Sequence, residues 1–291
     1  MNTLDVHSAH AVVGRFAPSP TGPLHAGSLL AALGSLLHAR AQGGLWHLRI
    51  DDIDPPRAVQ GSVAAIQASL EAHALRFDGD IQYQSDHSHR YAQALQRLEA
   101  QGDLFHCTCT RAMLGAAGNC QKSCAQKQFA ASEATCLRVK VPRSTVITLK
   151  DAFLGPQNWH LGQQLSNFVV RRRDGLYAYQ LAAAVDDAAP AATQVIRGRD
   201  LLDSTPRQIF LQRRLGLPSP EYGHLPVLTD QHGAKLSKQQ GASAVNNHQP
   251  LHNLRTALKD LGQPDPPTKL KDSVSLLAWS QSKWDPLRVP R

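Results

Sequence analysis

Arg15-Phe16-Ala17-Pro18-Ser19-Pro20-Thr21-Gly22-Pro23-Leu24-His25-Ala26-Gly27-Ser28 is the stretch from which the fold can be read. It follows the short apolar run Ala11-Val12-Val13 and precedes Leu29-Leu30-Ala31-Ala32-Leu33-Gly34-Ser35-Leu36-Leu37. Apolar positions in that second run recur at helical spacing, so the whole reads as strand, loop and helix start. Pro18, Pro20 and Pro23 stiffen the loop, while Gly22 and Gly27 allow backbone conformations or close approaches that a side chain would block. His25 and Gly27 fall at the mouth of the helix, where unpaired N–H groups and the positive end of the dipole favour an anion such as a nucleotide phosphate. Taken alone, a Pro/Gly loop is also compatible with a plain turn.

Working outward, Leu45-Trp46-His47-Leu48-Arg49-Ile50 reads as a second buried strand running into the acidic turn Asp51-Asp52-Ile53-Asp54-Pro55-Pro56-Arg57. Charges at the carboxyl end of a parallel strand face the ligand crevice, although three Asp with two Pro also make a solvated turn. Helical spacing recurs from Val59 to Arg76 and from Tyr91 to Leu104. Alternating strand and helix predicts a parallel, doubly wound sheet. Beyond Leu137 the pattern becomes β-rich, and Ser166 to Gly175 reads as a strand and hairpin turn. Near the end, Leu251 to Leu261 and Val274 to Trp284 each predict an amphipathic helix.

With 291 residues the chain can bury a substantial core, and 31 Lys and Arg against 23 Asp and Glu give a formal charge of +8. That excess suits a polyanionic partner, and equally a basic enzyme that meets no nucleic acid. No apolar stretch is long enough to span a bilayer, and the first fourteen residues hold neither Lys nor Arg, which argues against a secretory signal. A cytoplasmic location, with no membrane, is the expectation.

Four of the five cysteines crowd together as Cys107-Thr108-Cys109 and Cys120-Gln121-Lys122-Ser123-Cys124. Two close pairs across a Gly-containing loop suit a closed tetrahedral thiolate site for structural zinc, with four free thiols as the other reading. His106 is a possible substitute ligand. Cys136 stands apart and reads as a small buried hydrophobe.

The opening stretch, read as Pro-Ser-Pro-Thr-Gly-x-x-His-x-Gly, resembles the first motif of class I aminoacyl-tRNA synthetases in the form carried by the glutamyl branch. Ala26 and Ser28 stand where the general class motif more often has isoleucine and a second histidine, so His25 is the histidine left for the phosphates. The segment ending in Asp51 is similar to the family's Arg-Ile-Glu-Asp, with an acid one methylene shorter. Tyr83-Gln84-Ser85 matches the Tyr-Gln-Ser that precedes the family's insertion. Tyr179-Gln180-Leu181-Ala182, Asp186-Asp187 and Arg197-Gly198-Arg199-Asp200-Leu201 resemble the second half of the glutamyl nucleotide-binding fold. Lys235-Leu236-Ser237-Lys238-Gln239 resembles the class I mobile phosphate loop, with Leu236 and Gln239 in place of methionine and serine.

The Cys-x-Cys pair is similar to the zinc knuckle of the glutamyl-queuosine tRNA(Asp) synthetases, with Cys120 at the position of that group's tyrosine. The resemblance implies one structural zinc on Cys107, Cys109, Cys120 and Cys124, and ATP with Mg2+ as substrate. It implies a Rossmann-like parallel core in two halves, 1–104 and 179–241, an inserted zinc-bearing α+β subdomain at 105–178, and a short helical region at 242–291 with no anticodon-binding domain. Arg15, Ala17, Ser19, Asp51, Tyr179 and Arg197 would hold glutamate. Arg197 suits a carboxylate because its planar fork can bind bidentately. Pro18, Gly22, His25, Gly27, Ser28, Lys235, Ser237 and Lys238 would hold ATP, with His25 and Lys238 catalytic.

The implied reaction activates L-glutamate as glutamyl-adenylate and passes the glutamyl group to queuosine in the anticodon of tRNA(Asp), with a monomer expected. Arg171, Arg172 and Arg173, with Arg138, Lys140 and Arg143, are candidate contacts to RNA, the other reading being a solvated basic face. Two further readings stay open: a compact glutamyl-tRNA synthetase that charges an acceptor end, and a non-catalytic RNA-binding relative.

Overall fold

The structure, a computed structural model, describes residues 12–114, 120, 123–127, 129–132, 134–164, 166–188, 192–228 and 243–291. Strand β1 (Val13–Phe16) leads through the Pro/Gly loop to helix α1 (Ala26–Arg40), as the opening stretch predicts. Strand β2 (Leu45–Ile50), helix α2 (Ser62–Ala72), strand β3 (Gln82–Tyr83) and helix α3 (Ser88–Ala100) follow. The helical pattern from Val59 to Arg76 narrows to α2 because Gly61 and Ala74 take φ values of 79° and 56°, left-handed backbone that no right-handed helix continues through. Strands β1, β2 and β3 pair in parallel in that order, which the intervening helices allow by carrying the chain back across the sheet.

Pairing then turns antiparallel. Strand β4 (Leu104–Cys107), the short helix α4 (Cys124–Lys127), strand β5 (Cys136–Val139), the hairpin of β6 (Val146–Asp151) and β7 (Gly155–His160), helix α5 (Leu161–Gln164) and strand β8 (Phe168–Arg171) come in succession. β5 pairs with both β4 and β8, and after β8 the chain doubles back with Arg171 opposite Tyr177. Helix α6 (Tyr179–Ala188), strand β9 (Gln194–Gly198), helix α7 (Thr205–Arg214) and strand β10 (Glu221–Leu225) restore the parallel pattern. The first and last parallel pieces meet where the Thr193 amide donates to the Val13 carbonyl (2.9 Å) and the Val13 amide donates to Thr193 Oγ1 (2.8 Å). Helices α8 (Pro250–Asp260) and α9 (Ser273–Lys283) end the chain close to the spans their periodicity predicts. No helix among the described residues is long and apolar enough to cross a membrane.

A parallel sheet buries both faces, and strand alternation divides the core accordingly. Phe16, Trp46, Leu48, Ile50, Ile196 and Leu225 pack with α1, α2, α8 and α9 on one face. Val195 and Tyr222 point the other way, into a second cluster with α3, α6 and α7. On that second face, towards the carboxyl ends of β1, β2 and β9, stand Arg15, Arg49 and Arg197 in place of apolar side chains.

Gly34 lies in the middle of α1, where a Cβ would come 2.6 Å from Leu225 Cδ1 and 3.4 Å from Leu261 Cδ2. Ala is the better helix former by about 1 kcal/mol, whereas overpacking a core costs about 1–3 kcal/mol. Gly34→Ala is therefore expected to lower stability, and a urea titration reads the sign; a stabilised variant would mean that α1 packs less tightly on β10.

Candidate active site

At the carboxyl ends of β1, β2 and β9 and the amino end of α1 lies a cavity of about 430 Å³. Of the residues expected to hold an amino acid, Arg15, Ala17, Ser19, Asp51, Tyr179 and Arg197 all line it; of those expected to hold ATP, so do Pro18, His25, Gly27 and Ser28. Gly22 does not line it, and what the structure gives Gly22 is a φ of 120° in the loop, where a residue with Cβ would be strained. Lys235, Ser237 and Lys238 lie outside the described residues. The chain on either side of that segment is at the site. Pro226, Val227 and Leu228 line the cavity, while Ala244 pairs with His25 and the Val245 amide donates to the Leu24 carbonyl at 2.9 Å.

His25 caps α1. Its backbone is extended and its Nδ1 accepts from the Ser28 amide at 3.3 Å, so in the neutral ring the proton sits on Nε2. Gly27 is glycine because the ring packs over it, with His25 Cε1 and Nδ1 each 3.2 Å from where a Cβ would stand. An imidazole held in this way stands at a helix start, where the dipole favours anions.

Beneath the cavity runs a buried chain of ion pairs. Asp187, on α6, accepts from Arg15 Nε at 3.0 Å and Nη2 at 3.2 Å and from Arg49 Nη1 at 2.7 Å. Arg49 also donates from Nε to Asp51 Oδ1 at 2.7 Å and from Nη2 to Oδ2 at 3.3 Å. Burial opposes ionisation of Asp187, yet the guanidiniums of Arg15 and Arg49 outweigh it and hold the carboxyl well below the usual range. At Asp51 burial wins and pushes the carboxyl up to about 6, although Arg49 grips both oxygens. Among the charged side chains lining the cavity, Arg15, Arg57 and Arg197 face Asp51 and Asp200, an arrangement suited to a ligand with more negative than positive groups.

Arg197 is held from behind. Its Nε donates to His224 Nε2 at 3.3 Å, its Nη2 to Thr205 Oγ1 at 2.7 Å and its Nη1 to the Tyr179 hydroxyl at 3.3 Å, with its Cζ 5.3 Å from the Tyr222 ring centroid. In the interior nearby, Asp186 on α6 accepts from Gln84 Nε2 at 2.8 Å and from the Tyr91 hydroxyl at 2.6 Å. Sequence reasoning assigned no role to Arg49, Gln84, Asp186, Asp187, Thr205 or His224. Gln84, Asp186 and Asp187 lie in segments that resemble the family's, and Arg49 is a charge in a strand rich in apolar residues; Thr205 and His224 carried no signal.

The four clustered cysteines have sulfurs within 4.8 Å of one another. Individual separations are 4.0 Å for Cys107 and Cys120, 3.4 Å for Cys109 and Cys120, and 3.8 Å for Cys109 and Cys124. Four sulfurs about 2.3 Å from one centre stand about 3.8 Å apart in a tetrahedron, so this set fits a zinc ion. Cys136 is buried beside them and donates to the Cys107 carbonyl at 3.5 Å, as a small core residue would. His106 does not join the sulfurs; its Nδ1 pairs with Thr135 Oγ1 at 3.2 Å.

One expectation is corrected. Arg138 is only 3% exposed and donates to the Asn167 carbonyl, so it belongs to the interior and cannot meet RNA. Arg171, Arg172 and Arg173 are exposed. Arg172 pairs with Asp54 and Asp174, and Arg173 donates to the Thr108 carbonyl at 2.6 Å.

Removing one member of a buried ion network leaves its partners uncompensated, which costs about 3–5 kcal/mol. Because the folded Asp187 carboxyl titrates below its unfolded value, its contribution is complete above the unfolded pKa of about 3.9 and is lost as pH falls towards the folded one. Asp187→Asn should therefore be strongly destabilised in denaturant titrations at pH 7, with the gap to the wild type narrowing below about pH 4. A gap independent of pH would contradict the pairing.

Residues 11–258 match the family described as "tRNA synthetases class I (E and Q), catalytic domain". A protein of Thiobacillus denitrificans named glutamyl-Q tRNA(Asp) synthetase is 45% identical over 289 residues, covering 96% of this chain and 95% of that one. A protein of the same name from Xanthomonas campestris is 46% identical over 279 residues, covering 96% and 93%. Among solved structures, glutamate-tRNA synthetase from Elizabethkingia anophelis superposes with a TM-score of 0.78 at 24% identity, covering 96% of this chain. This chain spans 66% of that protein's length, and the likeness is one of fold. Methionyl-tRNA synthetase of Mycobacterium tuberculosis shares the fold more distantly, with a TM-score of 0.55 at 11% identity. The chain belongs to the class I tRNA synthetases of the glutamyl and glutaminyl type, ligases, and within them to the glutamyl-Q tRNA(Asp) synthetase family.

Proposed function

We propose that the protein activates L-glutamate with ATP and transfers the glutamyl group to queuosine in the anticodon of tRNA(Asp). The observation that carries this reading is the convergence of Arg15, Ser19, Asp51, Tyr179 and Arg197 with His25 on one cavity, although they come from segments far apart in the chain. The full-length relatives carry that activity in their name.

In the first step the α-carboxylate of glutamate attacks the α-phosphorus of Mg-ATP, an O–P bond forms, the bridging P–O bond breaks and pyrophosphate leaves. The substrate is its own nucleophile, so the protein contributes positioning and charge. Arg197 and Tyr179 receive the side-chain carboxylate, Asp51 the ammonium, and the His25 Nε2–H with the amides at the start of α1 the phosphates. Lys238 neutralises charge that grows on the α-phosphate. In the second step a hydroxyl of queuosine takes the acyl group and AMP departs. Residues 105–178 form the inserted subdomain, whose exposed Arg171 and Arg173 suit an RNA backbone, and the work is done in the cytoplasm.

ATP–pyrophosphate exchange with glutamate in the absence of tRNA tests the activation step, and glutamate transfer to tRNA(Asp) with and without queuosine tests the acceptor. Exchange without tRNA and transfer to the queuosine form alone are expected. Lys238→Ala should lower kcat by about 10²–10³, the size of losing one group that meets transition-state charge. Exchange that needs tRNA, or transfer to an acceptor end, would overturn the reading.

Cys107, Cys109, Cys120 and Cys124 would hold one structural zinc, which ties the β4 end of the insertion to α4 when bound. Elemental analysis of purified protein should find one zinc per chain, and Cys120→Ser should lower occupancy. Full occupancy in that variant would remove Cys120 from the ligand set.

A further inference from the structure

Arg197 can donate five N–H bonds and accept none, since a guanidinium stays protonated throughout the working pH range. Its Nε–H therefore requires a lone pair on His224 Nε2, 3.3 Å away. The other ring nitrogen, Nδ1, then carries the proton and donates it to Asp151 Oδ2 at 2.5 Å. Asp151 is itself fixed, because its Oδ1 accepts from the amides of Phe153, Leu154 and His224. Thr205 Oγ1 closes the array by accepting from Arg197 Nη2 at 2.7 Å while its hydroxyl donates to the same unprotonated His224 Nε2 at 2.9 Å. His224 and Asp151 are both buried, and Tyr222 stacks against the imidazole at 6.4 Å with the planes 5° apart. Burial keeps the ring's pKa low, in the same sense as the geometry.

These contacts use the Nε and Nη2 side of the guanidinium. Nη1, beside the Tyr179 hydroxyl, keeps one N–H without a partner among the described residues, and both side chains line the cavity. We propose that Asp151 and His224 are positioning residues for substrate selection: a neutral His224, held by Asp151, turns Arg197 so that Nη1–H and the Tyr179 hydroxyl together present a two-donor seat for the side-chain carboxylate of the amino acid. Bidentate binding through the Nε edge is closed off by the same contacts. Asp151 sits at the end of β6, in the antiparallel segment, so the hairpin of that segment reaches the amino-acid seat through a single imidazole. This inference rests on the reading of Arg197 as the residue that receives a carboxylate.

The test pairs two substitutions in pyrophosphate exchange. His224→Gln can keep both bonds, its amide N–H donating to Asp151 and its carbonyl accepting from Arg197, whereas His224→Leu keeps neither. We expect KM for glutamate to rise about tenfold or more in the Leu variant, the size of a lost bond to a charged group, with KM for ATP unchanged, kcat little affected and the Gln variant close to wild type. Equal damage in both variants, or an unchanged glutamate KM in the Leu variant, would overturn the proposal. In the wild-type protein, 15N chemical shifts of the His224 ring at pH 7 should report the neutral Nδ1–H form, and an imidazolium or the Nε2–H form would overturn the proposal even if the Leu variant fails to fold. Absence of any glutamate-dependent exchange in the wild type would instead remove the reading of the site, leaving the ring's tautomer as measured.

Discussion

A single carboxylate, Asp187, ties the two halves of the parallel core to each other. It sits 172 positions from Arg15 and 138 from Arg49, yet it accepts hydrogen bonds from both guanidiniums, and its side chain is 1% exposed. Two cations on neighbouring strands would repel each other in the interior; one anion between them turns that repulsion into a clamp. The clamp fixes α6 against β1 and β2. Since α6 begins at Tyr179 and β1 runs into the Pro/Gly loop, the same contact sets how far apart these two walls of the cavity stand.

The second buried array works in the same direction. Asp151, His224 and Thr205 hold Arg197 on β9 as Asp187 holds Arg15 on β1, so two of the cavity's cations are pinned before any substrate arrives. Charge that is already oriented by a buried network needs no reorganisation when the reaction develops its own charge. For a reaction whose nucleophile is the substrate's carboxylate, such pinning is the protein's main contribution. Fully paired networks like these also favour one arrangement of the core over its competitors, because any slip leaves a buried charge alone.

The antiparallel segment is joined to this core from two sides. Its strands share a hydrophobic cluster with α3, α6 and α7, and the end of β6 meets β10 where the Ala152 amide donates to the Tyr222 carbonyl at 2.9 Å. The cysteine set lies farther out with its own small cluster around Phe105 and Cys136. A metal there would stiffen a region with little apolar area of its own to bury, which is where small folds need such help.

Much of this was legible in the residue order. Local patterns are set by neighbours a few positions away, so the strand, loop and helix around His25, the strand that leads into Asp51 and the last two helices all lie close to where periodicity and turn chemistry put them. Motif likeness gathered Arg15, Ser19, Tyr179 and Arg197 as parts of one site. What the sequence left undetermined depends on which side chain meets which across the sheet. Arg138 looks like any other base in a basic segment until β5 turns it inwards, and Asp187 looks like half of an acidic pair until it lands between two arginines. The same holds for His224, an unremarked histidine in Glu221-Tyr222-Gly223-His224-Leu225. Its proton is assigned only by a guanidinium that can accept nothing and an aspartate from a distant hairpin, partners that only the tertiary fold brings within bonding distance.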